Sequence, residues 1–253
     1  MIKPYYESNL GKLYHGSCLD IMPELEQVDL TITSPPYNMR TRIRNGKYTT
    51  RETSEHFSKK YKYFDDALSI DKYYYVHNLA LTEMLRLSFI IFWNIQIVTG
   101  SKEAIFKIIG NFNKEIKDII VWDKGFGQPA MHDGVLNRGS ELIFIFERNA
   151  TAGRQFSKSF FKRGSMPDIW RLGRGKNHKE LGACYTEELV IKILEGWSLI
   201  NEIVLDPFLG SGTTAITCER LDRRWIGIED KEEYCEISAK RIEAEASQLK
   251  LWR

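Results

Sequence analysis

The sequence predicts an α/β domain built on an open, mostly parallel β-sheet, and three observations support this prediction. Short apolar runs typical of buried strands alternate along the chain with segments of helical periodicity. Residues 206–214 (DPFLGSGTT) form a glycine-rich turn between an apolar run and a helical run. Residues 33–37 (TSPPY) form a second turn directly after another apolar run. In an open parallel sheet, such turns meet in the crevice beyond the carboxyl ends of the strands.

Length and composition indicate one globular domain. The chain has 253 residues, of which 43% are hydrophobic and 28% charged, so we expect residues 1–253 to form a single domain with a complete core. The longest apolar run, 89–98, is interrupted by Asn94 and Gln96 and is too short to cross a bilayer. The N-terminus lacks the apolar core of a signal peptide. We therefore expect a cytoplasmic protein without a membrane partner.

Cysteine spacing argues against a metal site. Cys18, Cys184, Cys218 and Cys235 form no Cys-x-x-Cys pair, and no cluster of histidines accompanies them. Neither a disulfide framework nor a zinc site is indicated. We expect reduced, mostly buried thiols and no metal.

Positive charge is concentrated in two segments, although the net charge is only +2. Residues 40–62 contain eight Lys or Arg against two acids, and residues 154–179 contain eight against one. Such concentrations in a nearly neutral protein predict a polyanion bound on one face. Solvated loop charge is the alternative for either segment alone.

The first half of the chain predicts three strands and three helices. A strand at 13–16 and a short helix at 19–25 precede a strand at 29–33, which Pro35 and Pro36 end in a rigid loop. Residues 38–63 have no hydrophobic periodicity and predict a long, mobile, basic loop. A helix at 71–87, a strand at 89–93 and a helix at 101–112 follow.

The second half predicts four more strands, which gives seven in all. Strands at 116–122 and 141–146 should form a terminal pair, because their link is glycine-rich and has no helical pattern. Residues 150–179 show no regular structure, and Thr186 caps a helix that runs to 197. A strand at 203–205, a helix at 214–221, a strand at 225–228 and a helix at 232–249 complete the chain.

The glycine turn suits a cofactor. A strand that turns through two glycines into a helix presents backbone N–H groups and a positive helix end to an anionic or carboxylate-bearing ligand. The turn also satisfies the dinucleotide fingerprint, with Glu229 about 20 residues on where a ribose-binding acid is expected. A nicotinamide enzyme and a turn without a ligand are therefore alternatives. A P-loop is excluded because no Lys follows the second glycine.

Together, residues 206–214, 33–37 and 225–229 (WIGIE) resemble the DNA amino-methyltransferases that modify exocyclic nitrogens. The order, with the Pro-Pro loop first and the glycine turn last, is similar to the permuted β group of that family. Residues 16–19, 120–124 and 178–189 extend the resemblance over nearly the whole chain. It implies a Rossmann-like methyltransferase fold with a seven-stranded sheet. It also implies S-adenosylmethionine (AdoMet) as cofactor and S-adenosylhomocysteine as product.

The resemblance also implies roles for individual residues. The Ser34 hydroxyl and Pro35 carbonyl would accept hydrogen bonds from the amino group of a flipped base, Pro36 would fix the loop, and Tyr37 would stack on the base. Glu229 would bind the ribose. Ser17 stands where the family often has an acid, and Thr186 and Glu187 belong to the segment near the methionine end. The remaining cofactor-binding residues it implies are Cys18, Asp206, Phe208, Gly210, Ser211, Gly212 and Thr213.

Double-stranded DNA is the partner that the resemblance implies. Target recognition would fall to a small segment at about 150–167, helped by the loop at 38–63. A cognate restriction endonuclease and either a monomeric or a homodimeric state are left open. The candidate DNA-binding residues are Arg40, Arg42, Arg44, Lys47, Arg154, Lys158, Lys162 and Arg163.

Other functions account for fewer of these sequence features. Ring-carbon methylation of cytosine needs a Pro-Cys nucleophile, which the chain lacks. An NAD-dependent dehydrogenase would explain the glycines but not Ser-Pro-Pro-Tyr, and a protein-amide methyltransferase would not need the basic segments. A non-catalytic DNA-binding module is a further alternative. Ser34 favours N4 of cytosine as the methylated atom, with N6 of adenine as the alternative, because adenine enzymes of the family more often carry Asp there.

Overall fold

The computed structural model describes residues 2–38, 42–44, 47–49, 68–128, 133–173 and 185–252. Its helices are α1 (Cys18–Ile21), α2 (Ile70–Leu87), α3 (Lys102–Asn111), α4 (Glu187–Trp197), α5 (Thr213–Arg220) and α6 (Glu232–Trp252), with a 3-10 turn at Met22–Glu24. Its strands are β1 (Tyr6–Glu7), β2 (Gly11–His15), β3 (Val28–Thr33), β4 (Arg42–Arg44), β5 (Lys47–Thr49), β6 (Ser88–Ile95), β7 (Ile116–Gln128), β8 (Arg138–Glu147), β9 (Ile169–Arg171), β10 (Ile203–Asp206) and β11 (Arg224–Glu229).

The described strands form one large sheet in the order β1-β2-β11-β10-β3-β6-β8-β7-β9 and a separate hairpin of β4 and β5. The five strands from β2 to β6 in this order are mutually parallel. Strand β8 runs antiparallel between β6 and β7, and β1 pairs antiparallel with β2. The predicted α/β class with a mostly parallel sheet is therefore confirmed.

Two short strands were missed, which makes the sheet nine-stranded rather than seven-stranded. Strands β1 and β9 have two and three residues, too few to produce a hydrophobic period. Strand β9 also corrects the prediction that β7 and β8 end the sheet, because it pairs in parallel with β7 on the outer side. Trp170 holds it there with 1% of its surface exposed, and the Trp122 indole N–H donates to the Leu172 carbonyl at 3.1 Å.

The loop predicted at 38–63 contains the hairpin of β4 and β5, which pair antiparallel. Most of that loop lies outside the described residues. The mobility predicted for it therefore stays a prediction. The register pairs Arg42 with Thr49 and Arg44 with Lys47. The prediction of an irregular loop is therefore wrong for residues 42–44 and 47–49, where a short antiparallel ladder organises the backbone.

Helices cover both faces of the sheet, because the central strands are apolar on both sides. In β6, Ile90 and Phe92 belong to the core shared with α4, α5 and α6, whereas Ile91 and Trp93 belong to the core shared with α1, α2 and α3. This continuous apolar pattern is typical of a buried parallel sheet. Among the described residues, no helix has the length and apolar character needed to span a membrane.

Candidate active site

The chain reverses its direction of winding across the sheet between β3 and β10. From β3 the next strand of the parallel group, β6, lies on one side, and from β10 the next strand, β11, lies on the other. Ligands of open α/β sheets bind at such a switch point, beyond the carboxyl ends of the strands. Here the Thr33 hydroxyl donates to Asp206 Oδ1 at 2.8 Å, which joins the last residues of the two strands.

Asp206 organises the floor of this crevice. Besides Thr33, the Phe208 N–H donates to Oδ1 at 3.1 Å, and the hydroxyls of Tyr185 and Thr214 donate to Oδ2 at 2.7 and 2.6 Å. Burial raises the pKa of the Asp206 carboxyl, and these hydrogen bonds oppose the rise. Because both oxygens are occupied, Asp206 shapes the crevice by fixing the surrounding loops.

The glycine turn adopts a backbone conformation that other residues rarely take. Gly210 and Gly212 have φ values of 53° and 80°. Gly212 immediately precedes α5, and the Leu209 N–H donates to the Ile228 carbonyl at 2.9 Å, which ties the turn to β11. The turn approaches β11 so closely that a Cβ on Gly227 would lie 2.6 Å from the Leu209 side chain. The hydroxyls of Ser211 and Thr213, both buried, lie 2.9 Å apart.

Glu229 ends β11 beside this turn with its carboxyl almost fully buried. One oxygen accepts from the Gly210 N–H at 2.8 Å and the other from the Lys231 N–H at 3.1 Å. Burial, and next the charge of Asp230, raise the pKa of Glu229 to about 8. The nearby Lys231 ammonium pairs with Asp230 instead. A buried carboxyl with remaining acceptor capacity and no ion pair among the described residues suits the two hydroxyls of a ribose.

Cys18 lies at the start of α1, close to the end of β11. The Gly16 N–H donates to the Glu229 carbonyl at 2.9 Å, and Ser17 caps α1 by accepting from the Leu19 N–H at 3.2 Å. Burial raises the pKa of the Cys18 thiol to about 12, so it stays protonated at neutral pH. It can therefore line a pocket, but it is a poor nucleophile.

An aromatic stack connects the glycine turn to the Pro-Pro loop. The His77 ring lies 3.9 Å from the Tyr73 ring and 5.7 Å from the Phe208 ring, measured between centroids. The Tyr73 hydroxyl donates to the Pro36 carbonyl at 2.9 Å. Burial lowers the pKa of His77 to about 4, so the stacked imidazole is neutral.

The Ser-Pro-Pro-Tyr loop carries a buried polar cluster. The Ser34 and Tyr37 hydroxyl oxygens lie 2.8 Å apart, and the Tyr37 hydroxyl donates to Glu141 Oε2 at 2.8 Å. The Asn94 amide N–H group donates to Glu141 Oε2 and to the Tyr37 oxygen, each at 2.8 Å, and to the Ser34 oxygen at 3.2 Å. The Lys124 ammonium donates to Glu141 Oε1 at 2.6 Å. Only 8% of Tyr37 is exposed, so its stacking on a base stays a prediction.

Two of the basic residues predicted to bind DNA, Arg154 and Lys158, lie away from this site. Arg154 pairs with Asp118 at 3.0 Å, and Lys158 pairs with Glu202. Asp118 lies near the beginning of β7 and Glu202 lies just before β10, so both acids are at the amino ends of the strands. The crevice lies at the opposite edge, where those strands end. Lys162 and Arg163 are exposed. Arg40 lies outside the described residues, and the described backbone of Arg42, Arg44 and Lys47 belongs to the β4–β5 hairpin.

The segment at 150–167 packs away from the crevice as well. Phe156 and Phe161 contact Trp197 at the end of α4, with ring centroids 5.3 and 4.9 Å away. The Phe160 N–H donates to the Gly196 carbonyl at 2.8 Å. These contacts anchor the segment near the beginning of β10, and its role in target recognition stays a prediction.

Sequence reasoning gave no individual role to five polar residues that the fold brings into the site. Asn94 left a weak signal as a polar residue inside an apolar run, but Glu141 and Lys124 looked like ordinary strand ends. Nothing in the local sequence distinguishes Tyr185 and Thr214 from the residues around them, because their contact with Asp206 depends on tertiary packing. Thr186 does cap α4, since its hydroxyl accepts from the Leu189 N–H at 3.1 Å.

Comparison with known families gives one match that covers most of the chain. Residues 28–240 match the family model N6_N4_Mtase, described as DNA methylase. The match begins at β3 and ends within α6, so it includes the Pro-Pro loop, the polar cluster and the glycine turn.

Individual relatives are distant but cover nearly the full length. Type II methyltransferase M2.MboI of Moraxella bovis is 27% identical over 256 residues, covering 95% of this chain and 91% of that protein. The solved PvuII DNA methyltransferase, described as cytosine-N4-specific, covers 98% of this chain and 95% of that one with a TM-score of 0.71 and 16% identity. The match to the solved M1.HpyAVI–SAM complex covers 92% of this chain and 100% of that one, with a TM-score of 0.60 and 22% identity.

Proposed function

The chain belongs to the family of AdoMet-dependent DNA amino-methyltransferases, and from this premise we propose that it methylates an exocyclic amino group of a flipped base in double-stranded DNA. This family assignment confirms the resemblance predicted from the sequence and removes the dehydrogenase alternative. One observation supports the proposal most directly. The Thr33–Asp206 hydrogen bond brings the Ser-Pro-Pro-Tyr loop and the glycine turn to one crevice, as a transfer between base and cofactor requires.

The cofactor, AdoMet, supplies a methyl group on a positively charged sulfur. Glu229 would accept hydrogen bonds from the ribose hydroxyls, and the turn from Gly210 to Thr213 would hold the cofactor through its backbone. Phe208 and Cys18 contribute apolar walls, while Asp206 keeps the turn in place. The buried carboxyl of Glu229, the positive φ values of the turn and the hydrogen bonds to Asp206 support these roles.

Ser34 and Pro35 prepare the amino group for attack. An exocyclic nitrogen is a poor nucleophile because its lone pair is delocalised into the ring of the base. The Ser34 hydroxyl oxygen and the Pro35 carbonyl accept its two N–H bonds, which draws the nitrogen toward a tetrahedral geometry with its lone pair facing the methyl group. The base must leave the duplex first, since pairing otherwise occupies the same N–H group. Positioning then supplies most of the acceleration.

N4 of cytosine is the atom that we propose as the target. The support is Ser34, because cytosine enzymes of the family more often carry Ser at this position. N6 of adenine is the alternative outcome, and the mechanism accommodates both because a hydroxyl accepts from either amino group.

The DNA face is formed by the edge of the sheet that carries the crevice. The hairpin of β7 and β8 extends beyond this edge and exposes Phe126 and Leu136, while Arg138 and Arg171 present positive charge nearby. Exposed Lys and Arg contact phosphates, and apolar side chains at a hairpin tip can wedge into a base step. We propose that the loop at 38–63 contributes to the same face, because it follows the Pro-Pro loop directly in the sequence.

We further propose that residues 1–253 act as a single catalytic domain.

The relatives are named Type II methyltransferases, which supports a site-specific enzyme and a restriction endonuclease as its functional partner.

Methyl transfer to DNA tests the proposal. The purified protein should move the label from methyl-labelled AdoMet to duplex DNA, and digestion to nucleosides followed by mass spectrometry should identify N4-methyldeoxycytidine. N6-methyldeoxyadenosine as sole product would overturn the target base alone. Labelled cofactor that binds without any transfer to DNA would favour the non-catalytic binding module.

A further inference from the structure

Glu141 is a buried carboxylate beside the Pro-Pro loop that none of the motifs accounts for. It lies on β8, across from Trp122 of β7. Its two oxygens have different partners, with Lys124 on Oε1 at 2.6 Å and Tyr37 on Oε2 at 2.8 Å. The side chains of Lys124 and Glu141 are 12% and 11% exposed, so the pair is shielded but reaches solvent at one edge.

The partners of Glu141 determine the direction of the hydrogen bonds in the cluster. The Asn94 amide N–H group and the Lys124 ammonium can only donate, and an ionised carboxylate can only accept. The Tyr37 hydroxyl therefore donates its hydrogen bond to Glu141 Oε2. The Tyr37 oxygen is then an acceptor for the Ser34 hydroxyl, 2.8 Å away. This leaves a lone pair of the Ser34 oxygen for an incoming N–H group.

We propose that Glu141 is a positioning residue that acts through Tyr37, sets Ser34 as an acceptor and finally takes the proton released by the reaction. This inference rests on the proposed function. It differs from a purely structural ion pair, which would hold β7 to β8 without affecting the direction of the Ser34 hydroxyl.

The proton balance is as follows. When the amino nitrogen bonds to the methyl carbon, the bond between that carbon and sulfur breaks and the electron pair stays on sulfur. The nitrogen then carries an extra proton, which passes to the Ser34 oxygen as the N–H bond breaks. The original Ser34 proton passes to the Tyr37 oxygen, and the original Tyr37 proton passes to Glu141 Oε2. The products are a neutral methylamino base, a neutral thioether and a protonated Glu141, which returns its proton to water.

A second Lys–Glu pair on the same two strands provides a matched control. Lys117 and Glu147 lie 3.3 Å apart with side chains that are 1% and 0% exposed, near the beginning of β7 and the end of β8. This pair is at the edge of the sheet opposite Ser34. Substitution of Glu147 by Gln removes the same charge from the same type of pair, so it reports the structural cost of that change without touching the Pro-Pro loop.

The experiment compares Glu141→Gln, Glu141→Asp and Glu147→Gln in single-turnover methylation of duplex DNA with AdoMet already bound. We expect Glu141→Gln to lower the rate constant by about 10²-fold, the range typical of general acid–base groups. The dissociation constants for AdoMet and DNA should stay unchanged. Glu141→Asp should react faster than Glu141→Gln because it keeps a carboxylate. Glu147→Gln should keep the wild-type rate even where its melting temperature falls.

Two results would overturn the inference. Glu141→Gln at the wild-type rate would show that the carboxylate takes no part, and an equal loss in Glu147→Gln would reduce Glu141 to a structural ion pair. In either case a wild-type enzyme that methylates DNA leaves the proposed function standing. A wild-type protein that transfers no methyl group to any duplex overturns the proposed function and the inference together.

Discussion

AdoMet binding should release a proton, because Glu229 carries one in the free protein. Burial raises the pKa of this carboxyl to about 8, whereas hydroxyl donors of a ribose would favour the ionised form. At pH 7 a group with that pKa is protonated in about nine molecules of ten. If binding moves the pKa back towards its ordinary range, about 0.9 proton leaves per AdoMet bound.

The same linkage sets the pH dependence of affinity. The folded, cofactor-free protein binds the Glu229 proton below about pH 8, so AdoMet must displace it there. Affinity should therefore fall by about 50-fold between pH 8 and pH 6, which approaches a factor of ten per pH unit at the acidic end. Above pH 8 the carboxylate is already ionised, and this contribution to the slope disappears.

Calorimetry in buffers of different ionisation enthalpy measures the released proton directly. Glu229→Gln should abolish the release that is due to this group and flatten the pH dependence of affinity. Glu219→Gln is the matched control, because this buried carboxyl bonds to Ser8 and to Trp225 at the opposite end of β11. The reasoning is refuted if proton release at pH 7 is the same in wild type, Glu229→Gln and Glu219→Gln.

Three further predictions follow from the same geometry. Ser34→Ala and Tyr37→Ala should abolish methyl transfer while AdoMet binding persists, and undiminished methylation in both would remove the mechanism. DNA affinity should fall steeply with salt, by a slope of about −0.9 per phosphate contact, and a salt-insensitive affinity would contradict a basic DNA face. Burial lowers the pKa of the His77 imidazole to about 4, against an ordinary value of 6.5, so the unfolded chain binds its proton first as pH falls. The free energy of unfolding of the wild-type protein, measured with urea, should therefore drop by about 3 kcal/mol more than that of His77→Phe between pH 6.5 and 4. The same pH dependence in both proteins would refute a neutral His77 in the stack.

Local sequence was sufficient for the parts of the site that form along one stretch of chain. The turn from Asp206 to Gly212 is a strand, a tight bend and a helix start, and each is specified by neighbouring residues. The two prolines that follow Ser34 likewise end β3 without help from elsewhere. These features were therefore predictable together with the central parallel strands, whose apolar runs are long enough to recognise.

The polar cluster was not predictable because three separate strands build it. Asn94, Lys124 and Glu141 meet only through the register of β6, β8 and β7, in which Ile95 pairs with Leu142 and Trp122 with Glu141. A single-sequence pattern contains no information about that register. Long-range pairing also decides which basic residues lie near the crevice, and composition alone cannot show this.

Arg154 and Lys158 illustrate this second point. Their charge predicts DNA binding, and the fold brings each to an acid at the edge of the sheet where the parallel strands begin, so contact with DNA stays a prediction for both. Arg171, at the end of β9, also lies near an acid, Asp123 at 3.7 Å, but its side chain is 84% exposed on the side of the crevice. Topology, and not density along the chain, therefore decides which charges lie on that side.

Long-read sequencing of DNA from a methylation-free host that expresses this protein tests the central claim most directly. We expect N4-methylcytosine at one recurring short site, and no modification in the same host expressing Ser34→Ala. N6-methyladenine at one site would correct the target base and leave the amino-methylation mechanism in place. Unmodified DNA from cells that contain the folded wild-type protein would contradict the assignment of this chain as a DNA-modifying enzyme.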